Sequence, residues 1–306
     1  MSKKIILLSG PTASGKSKLA IKLAKTINGE IINADSMQVY KEFTILSSRP
    51  SLSEIEQAKH HLYGFVSVKN YFSAGEWLNK AKSKIKSCVR KNRIPIIVGG
   101  TGLYFNTITK GMSKIPEIDF KTRSKVRNLF KKIGPTKFYE SLLILDPKVE
   151  NRIAPTDSQR SQRAYEVILK TKKSIFDWTN NTKSEFSEYD IKKVFLNIPR
   201  DELLNNISKR TFNMFKNDEC INEVNRFNLL KVKKSLSANK LIGIREINNF
   251  LKGSISKNQC IELINIRTRQ YAKRQNTWAR GHMKNWIKLY SKEFPVLLKK
   301  TLKVVS

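Results

Sequence analysis

Lys4-Ile5-Ile6-Leu7-Leu8-Ser9, followed at once by Gly10-Pro11-Thr12-Ala13-Ser14-Gly15-Lys16-Ser17, is the stretch that decides the fold of this 306-residue chain. The first six residues are a short apolar run with β-branched side chains, the pattern of a buried strand. The next eight match GxxxxGK[ST], and helical periodicity then runs through Leu19, Leu23 and Ile27, with Gly29 as a stop. Strand, glycine-bearing loop and helix in that order form the context in which this motif binds phosphate. The loop's inward N–H groups and the positive end of the helix hold the anion. Lys16 places an ammonium on the terminal phosphate, and Ser17 offers its hydroxyl to Mg²⁺. The plainer alternative is a tight strand–helix turn with a chance match. The loop alone does not name a reaction.

Working outward, residues 30–34 read as a second strand ending at Asp35, residues 95–98 (PIIV) as a third ending in Gly99-Gly100, and residues 194–198 (VFLNI) as a fourth. A helix is expected over 71–90. Strands alternating with helices argue for an α/β fold, a P-loop-type parallel sheet flanked by helices. Residues 1–115 form the first part of this core. Residues 116–192 are polar and helical and read as an insertion domain. Residues 193–306 bring the return strand and then helices nearly to the end.

Ligands of open α/β sheets sit at the C-terminal ends of strands, so Asp35 should face the phosphate loop. No other candidate strand ends in an acid. Asp35 can hold Mg²⁺ through water or act as a general base; a helix N-cap aspartate is the plainer reading. In Gly99-Gly100-Thr101-Gly102, two glycines let the backbone approach a ligand closely, with the Thr101 hydroxyl at the same edge. A glycine turn with a capping threonine is the alternative.

The 59 Lys and Arg against 25 Asp and Glu leave a net charge of +34, which points to a polyanionic partner. The joint richness in Lys, Ile and Asn is also what compositional bias from an AT-rich genome produces. Cys88, Cys220 and Cys260 are far apart and form no CxxC pair, which excludes a disulfide scaffold and a Cys-rich zinc site and fits a reducing compartment. No apolar run is long enough for a transmembrane helix, and residues 5–9 are too short for a signal peptide. A cytoplasmic protein without a membrane partner is expected, with monomer as the default. His60, His61 and His282 have no metal-ligand spacing and read as structural.

Together these pieces resemble the bacterial-type tRNA dimethylallyltransferases (tRNA isopentenyltransferases). GPTASGKS at 10–17, ADSMQVYK at 34–41, VGGTGLYF at 98–105, QRSQRAYEV at 159–167, GIRE at 243–246 and TRQYAKRQNTWARG at 268–281 stand in the family's order and approximate spacing. The segment Leu46-Ser47-Ser48-Arg49-Pro50 departs from the family's Gly-Thr-Ala-Lys-Pro-like pattern but keeps a hydroxyl and a cation. No Cys/His zinc module of the eukaryotic kind follows.

The resemblance implies transfer of a dimethylallyl group from dimethylallyl diphosphate to N6 of adenosine 37, beside the anticodon of tRNA, with release of diphosphate. It assigns proton removal to Asp35, orientation of the amine to Thr101, and diphosphate contact to the loop residues and Arg210. The tRNA anticodon stem-loop would be gripped by three groups of residues. The first is Asp35, Ser36, Met37, Gln38 and Thr101. The second is Arg123 with Gln159, Arg160, Ser161, Gln162 and Arg163. The third is Lys240, Gly243, Arg245, Arg269, Lys273, Arg274, Trp278 and Arg280. Arg269, Lys273 and Arg280 share a helix face by spacing, with Tyr271 and Trp278 interleaved as stacking or packing groups. A solvated basic face is the plainer reading of each cluster. Two other functions fit the phosphate loop: a small-molecule kinase with Asp35 at Mg²⁺, and an RNA-binding protein that keeps the loop for nucleotide-dependent regulation.

Overall fold

The computed structural model describes residues 3–180 and 182–306. In chain order the elements are β1 (Lys4–Ser9), α1 (Lys16–Ile27), β2 (Gly29–Asn33), α2 (Leu52–Gln57), β3 (His60–His61), α3 (Ala74–Arg90), β4 (Ile94–Gly99) and α4 (Gly102–Thr109). Then come α5 (Phe120–Leu145), α6 (Ser158–Thr171), α7 (Ile175–Thr179), β5 (Asp190–Leu196), α8 (Arg200–Met214) and α9 (Glu219–Leu229). The last elements are α10 (Ile244–Leu251), α11 (Lys257–His282), β6 (Ile287–Leu289) and α12 (Phe294–Val305).

The strands form one sheet in the order β3-β2-β4-β1-β5-β6, parallel at every pairing. Its central strands are apolar because helices cover both faces. Ile6, Leu8, Ile31, Ile96, Val98 and Val194 pack with Leu19 and Leu23 of α1 and Val305 of α12. Burying each such Leu or Ile stabilises the fold by roughly 1.5–3 kcal/mol.

Two compact units emerge. One runs up to Ile108 and resumes over Glu188–Ser306; the other is Thr109–Ser187. The second unit holds α5, α6 and α7, with its own apolar cluster around Tyr139, Leu142, Val149, Ile153 and Ala164. Inside α5, Gly134 (φ 76°) and Pro135 kink the helix. Its bounds differ from the 116–192 read from sequence, because β5 starts at Asp190. The first four residues of β5 are only partly buried and carry no continuous apolar signal.

Among the described residues the sheet has six strands where the sequence shows four. β3 and β6 are two and three residues long and lie at the edges, too short to leave a period. The helical run expected after Pro199 is therefore interrupted by β6.

A second core supports the site. Val39, Phe43 and Leu46, from the segment after β2, pack against Phe215, Val224, Ile247 and Ile264 of α8–α11 and their connections.

Candidate active site

The register sets Ser9 opposite Gly99 and Asn33 opposite Val98, so β1, β2 and β4 deliver their C-terminal ends to one edge. The phosphate loop leaves β1 there. Gly15 adopts φ 77° immediately before α1, a backbone state that glycine enters without steric penalty. No acidic side chain occupies the first turn of α1, so its free N–H groups and positive dipole end are available to an anion.

Lys16 Nζ donates to Pro11 O at 2.9 Å. Burial pushes the Lys16 ammonium down to about 8, Asp35 opposes the shift, and Arg210 adds to it. Arg210, from α8, donates to Thr12 Oγ1 at 2.7 Å. Burial also draws its pKa down, against Asp35 and Tyr271. Two desolvated cations beside a single carboxylate leave the site short of negative charge, and a diphosphate supplies it. Ser14 is buried, and its hydroxyl has no partner among the described residues.

Asp35 is held from both sides. The fully buried Asn33 accepts from Asp35 N at 2.9 Å and donates to Leu62 O at 2.9 Å and Asp35 O at 3.1 Å. Trp77 of α3 donates to Asn33 O at 2.8 Å. Asp35 Oδ1 accepts from Met37 N at 2.8 Å and Gln38 N at 3.4 Å. No helix follows Asp35, so it is not a helix N-cap; Oδ1 instead closes the turn after β2. Oδ2 has no hydrogen-bond partner among the described residues.

Thr101 Oγ1 accepts from Ser36 N at 2.9 Å, which ties the end of β4 to the Asp35 turn. The approach demands glycine: a Cβ at Gly99 would lie 2.1 Å from Ala34 O.

A cavity of about 280 Å³ is lined by Thr12, Asp35, Ser36 and Arg210 and by the apolar side chains of Met37, Leu46, Met214, Leu241, Ile242 and Ile264. Lys240, Tyr271 and Arg274 also line it. Charged and apolar groups on one cavity suit an amphiphilic anion. A second cavity, of about 270 Å³, shares Ser36, Tyr271 and Arg274 with the first and adds Thr101, Gln275 and Trp278. A larger cavity, about 690 Å³, lies between α8 and α11.

That α8–α11 cleft collects Arg269, Lys273 and Arg280 from one face of α11, the basic row expected from spacing. Lys240 lines the first cavity and Arg274 both, while Arg245 is exposed. Gly243 is buried, with φ 109°, and turns the chain into α10, its N–H bonded to Glu246 Oε2. Gln38 donates to Ser47 O and Ser48 O at 3.0 and 2.8 Å.

In the other unit, Gln159, Arg160, Gln162 and Arg163 lie on the first turns of α6, and Arg123 lies on α5. Arg160 pairs with Asp157 at 3.4 Å, and Arg163 with the buried Glu166 at 3.3 Å. Ser161 is buried and donates to Asp157 O at 2.9 Å, so this member of the expected cluster turns inward.

The departing segment is structural. Arg49 donates to Tyr40 O and Thr44 Oγ1, both at 3.1 Å. Glu223 of α9 is buried and accepts from the amides of Ile45 and Leu46 at 3.0 and 2.9 Å.

The Ser17 hydroxyl and the Asp35 carboxylate are hard oxygen donors of the kind Mg²⁺ takes, alongside phosphate oxygens and water, and Ser17 is exposed at the start of α1. Among the described residues, the one cluster of three soft and hard ligands is Glu30, His61 and Cys88. Glu30 is the second residue of β2, at the end of the strand away from Asp35. Its Oε2 already meets His61 Nε2 at 2.6 Å and the Cys88 thiol at 3.5 Å. These are closed hydrogen bonds and read as structural.

Sequence reasoning missed Asn33, Trp77, Glu223 and Gln275. Asn33 had one signal, a polar residue closing an apolar strand. Gln275 lies inside a motif that was read for its cations and tryptophan.

The family model for IPP transferase matches residues 38–282. The chain is 52% identical over 286 residues to a tRNA dimethylallyltransferase of Pelagibacter ubique, covering 94% of this chain and 91% of that one. It is 40% identical to a tRNA dimethylallyltransferase of Rickettsia massiliae, covering 99% and 84%. Among solved structures, it resembles a eukaryotic dimethylallyltransferase acting on tRNA, with TM-score 0.79 and 29% identity over 94% of this chain and 74% of that one. It also resembles a tRNA isopentenylpyrophosphate transferase from Bacillus halodurans, with TM-score 0.70 and 27% identity over 98% and 95%.

Proposed function

The chain belongs to the IPP transferase family and prenylates tRNA, and we propose that in this reaction dimethylallyl diphosphate is the donor, the phosphate loop with Lys16 and Arg210 holds its diphosphate, and Asp35 takes the proton of the attacking amine. The acceptor is N6 of adenosine 37 in the tRNA anticodon loop. The N6–C1 bond forms as the C1–O bond to diphosphate breaks. The electron pair leaves with the diphosphate, and the amine proton passes to Asp35 Oδ2.

The single observation that carries this reading is the 280 Å³ cavity whose lining joins Asp35 and Arg210 to the apolar side chains of Met37, Leu46, Met214 and Ile264. A kinase needs only the charged groups. An allylic diphosphate uses both kinds, because its five-carbon chain gains from leaving water. The N6 lone pair is delocalised into the purine, so a carboxylate that removes its proton raises its nucleophilicity as the bond forms. The leaving group departs more readily when its developing charge meets fixed cations and N–H donors. Ser17, with the diphosphate oxygens, would hold Mg²⁺, which would further neutralise that charge.

Chemistry on a stacked base requires its extrusion into a pocket. The basic row Arg269, Lys273 and Arg280 and the α6 cluster hold the RNA backbone, while unstacked loop bases supply selectivity. No helix of the described residues is long and apolar enough to cross a membrane.

The test is a transfer assay with purified protein, Mg²⁺, labelled dimethylallyl diphosphate and unmodified tRNA, followed by nucleoside digestion. Label in N6-dimethylallyladenosine is the expected result. No label, together with ATP turnover in the absence of RNA, overturns the reading in favour of a kinase.

A further inference from the structure

Gln275 lies on α11, far along the chain from both loops of the active site, and its side chain joins them. Its Oε1 accepts from Thr12 N at 2.8 Å. Its Nε2 donates to Gly100 O at 3.0 Å. The two bonds use the acceptor and one donor of the amide in a fixed orientation. On the phosphate-loop side, Thr12 also receives Arg210 through its hydroxyl. On the β4 side, Gly100 precedes Thr101, which receives Ser36 N next to Asp35. One amide thus closes a chain that runs from the diphosphate cation, Arg210, to the base, Asp35.

The glycine loop is shaped around this contact. A Cβ on Gly100 would lie 2.1 Å from Gln275 Nε2, and one on Gly102 would lie 2.3 Å from the Trp278 ring, three residues further along the same helix. Two of the glycines after β4 therefore admit side chains of α11.

We propose that Gln275 is a positioning residue for prenyl transfer: it sets the separation between the diphosphate-binding loop and the loop that carries Thr101 against Asp35. It also engages the Thr12 amide, so the anion is held by the amides that follow. This inference rests on the assignment of the diphosphate site and of Asp35 given above. Misplacing reacting groups by about 1 Å lowers rates by up to about 10²-fold. Losing the amide bridge is expected to act in that way on turnover, and not on RNA affinity.

The test uses Gln275→Met, which keeps the length and removes both hydrogen bonds, together with Gly100→Ala and the double variant. The readouts are the single-turnover transfer rate at saturating substrates, the KM for dimethylallyl diphosphate, the tRNA Kd and the thermal midpoint. Gln275→Met is expected to lower the single-turnover rate about 10- to 100-fold, with tRNA Kd and thermal midpoint close to wild type. Gly100→Ala displaces the Gln275 amide and is expected to produce a similar loss. The double variant should then be no slower than the slower single, because both changes remove one interaction.

A Gln275→Met rate within threefold of wild type, or single losses that multiply in the double variant, overturns the proposal. So does a variant whose defect lies wholly in folding or tRNA affinity. Asp35→Ala assayed alongside separates the two levels: if it stays active the base assignment fails, whereas an active Gln275→Met refutes the bridge alone.

Discussion

Replacing Asp35 by Asn changes very little except proton acceptance. Oδ1 of Asp35 accepts from Met37 N and Gln38 N, and the amide oxygen of Asn accepts in the same place. The turn after β2, its anchor at Asn33 and the Trp77 bond to Asn33 all survive. Oδ2 becomes an NH₂ group, which cannot take a proton from N6. A positioned general base contributes about 10²–10⁴ in rate, or about 2.7–5.4 kcal/mol of barrier at 1.36 kcal/mol per tenfold. Asp35→Asn is therefore expected to lower the single-turnover rate by that factor, with tRNA Kd within about threefold of wild type. A second readout follows from charge. Asp35 supports the protonated form of Lys16, so its neutralisation should move the alkaline limb of donor binding to lower pH. The assay is single-turnover transfer of labelled dimethylallyl diphosphate over a range of pH. A rate within tenfold of wild type, with the alkaline limb unmoved, refutes the role given to Asp35.

Three further outcomes are expected. Lys16 in the free protein titrates near 8, so donor KM should rise as pH climbs past that value, and Lys16→Met should abolish this limb while raising KM at all pH; steady-state kinetics from neutral pH to about two units above it check this. Association with tRNA should weaken steeply between about 50 and 200 mM salt, because neutralised phosphates release counterions, and Arg269→Ala with Lys273→Ala should flatten the slope measured by filter binding. Glu223→Ala should lower stability by roughly 1–3 kcal/mol, read by chemical denaturation, since it strips the carboxylate from the amides of Ile45 and Leu46 and loosens a wall of the donor cavity.

What could be read in advance follows from how locally each feature is encoded. β1, β2 and β4 are fully covered on both faces, so they appear as bare apolar runs, and the loop and Asp35 follow them directly. The start of β5 was hidden because Asp190 to Lys193 are half-exposed. β3 and β6 pair through only two and three residues. In the site, Asp35 and Thr101 stand out by residue type just after a strand, and Lys16 by its place in the loop motif. Gln275 could not be placed in the same way, because its partners Thr12 and Gly100 lie 263 and 175 residues away. The glycine pair at 99 and 100 was legible as a place of close approach, but what approaches Gly100 is Gln275 of α11. Arg49 illustrates the reverse case, a cation preserved in type whose bonds all go to its own loop.

The most direct measurement is a crystal structure with Mg²⁺ and a non-hydrolysable dimethylallyl thiodiphosphate. The diphosphate should lie on the loop amides with Lys16 and Arg210, the chain should run between Met37 and Ile264, and C1 should face Asp35 Oδ2. A donor bound with its chain in the α8–α11 cleft, or with C1 turned away from Asp35, would contradict the assignment of this cavity as the seat of prenyl transfer.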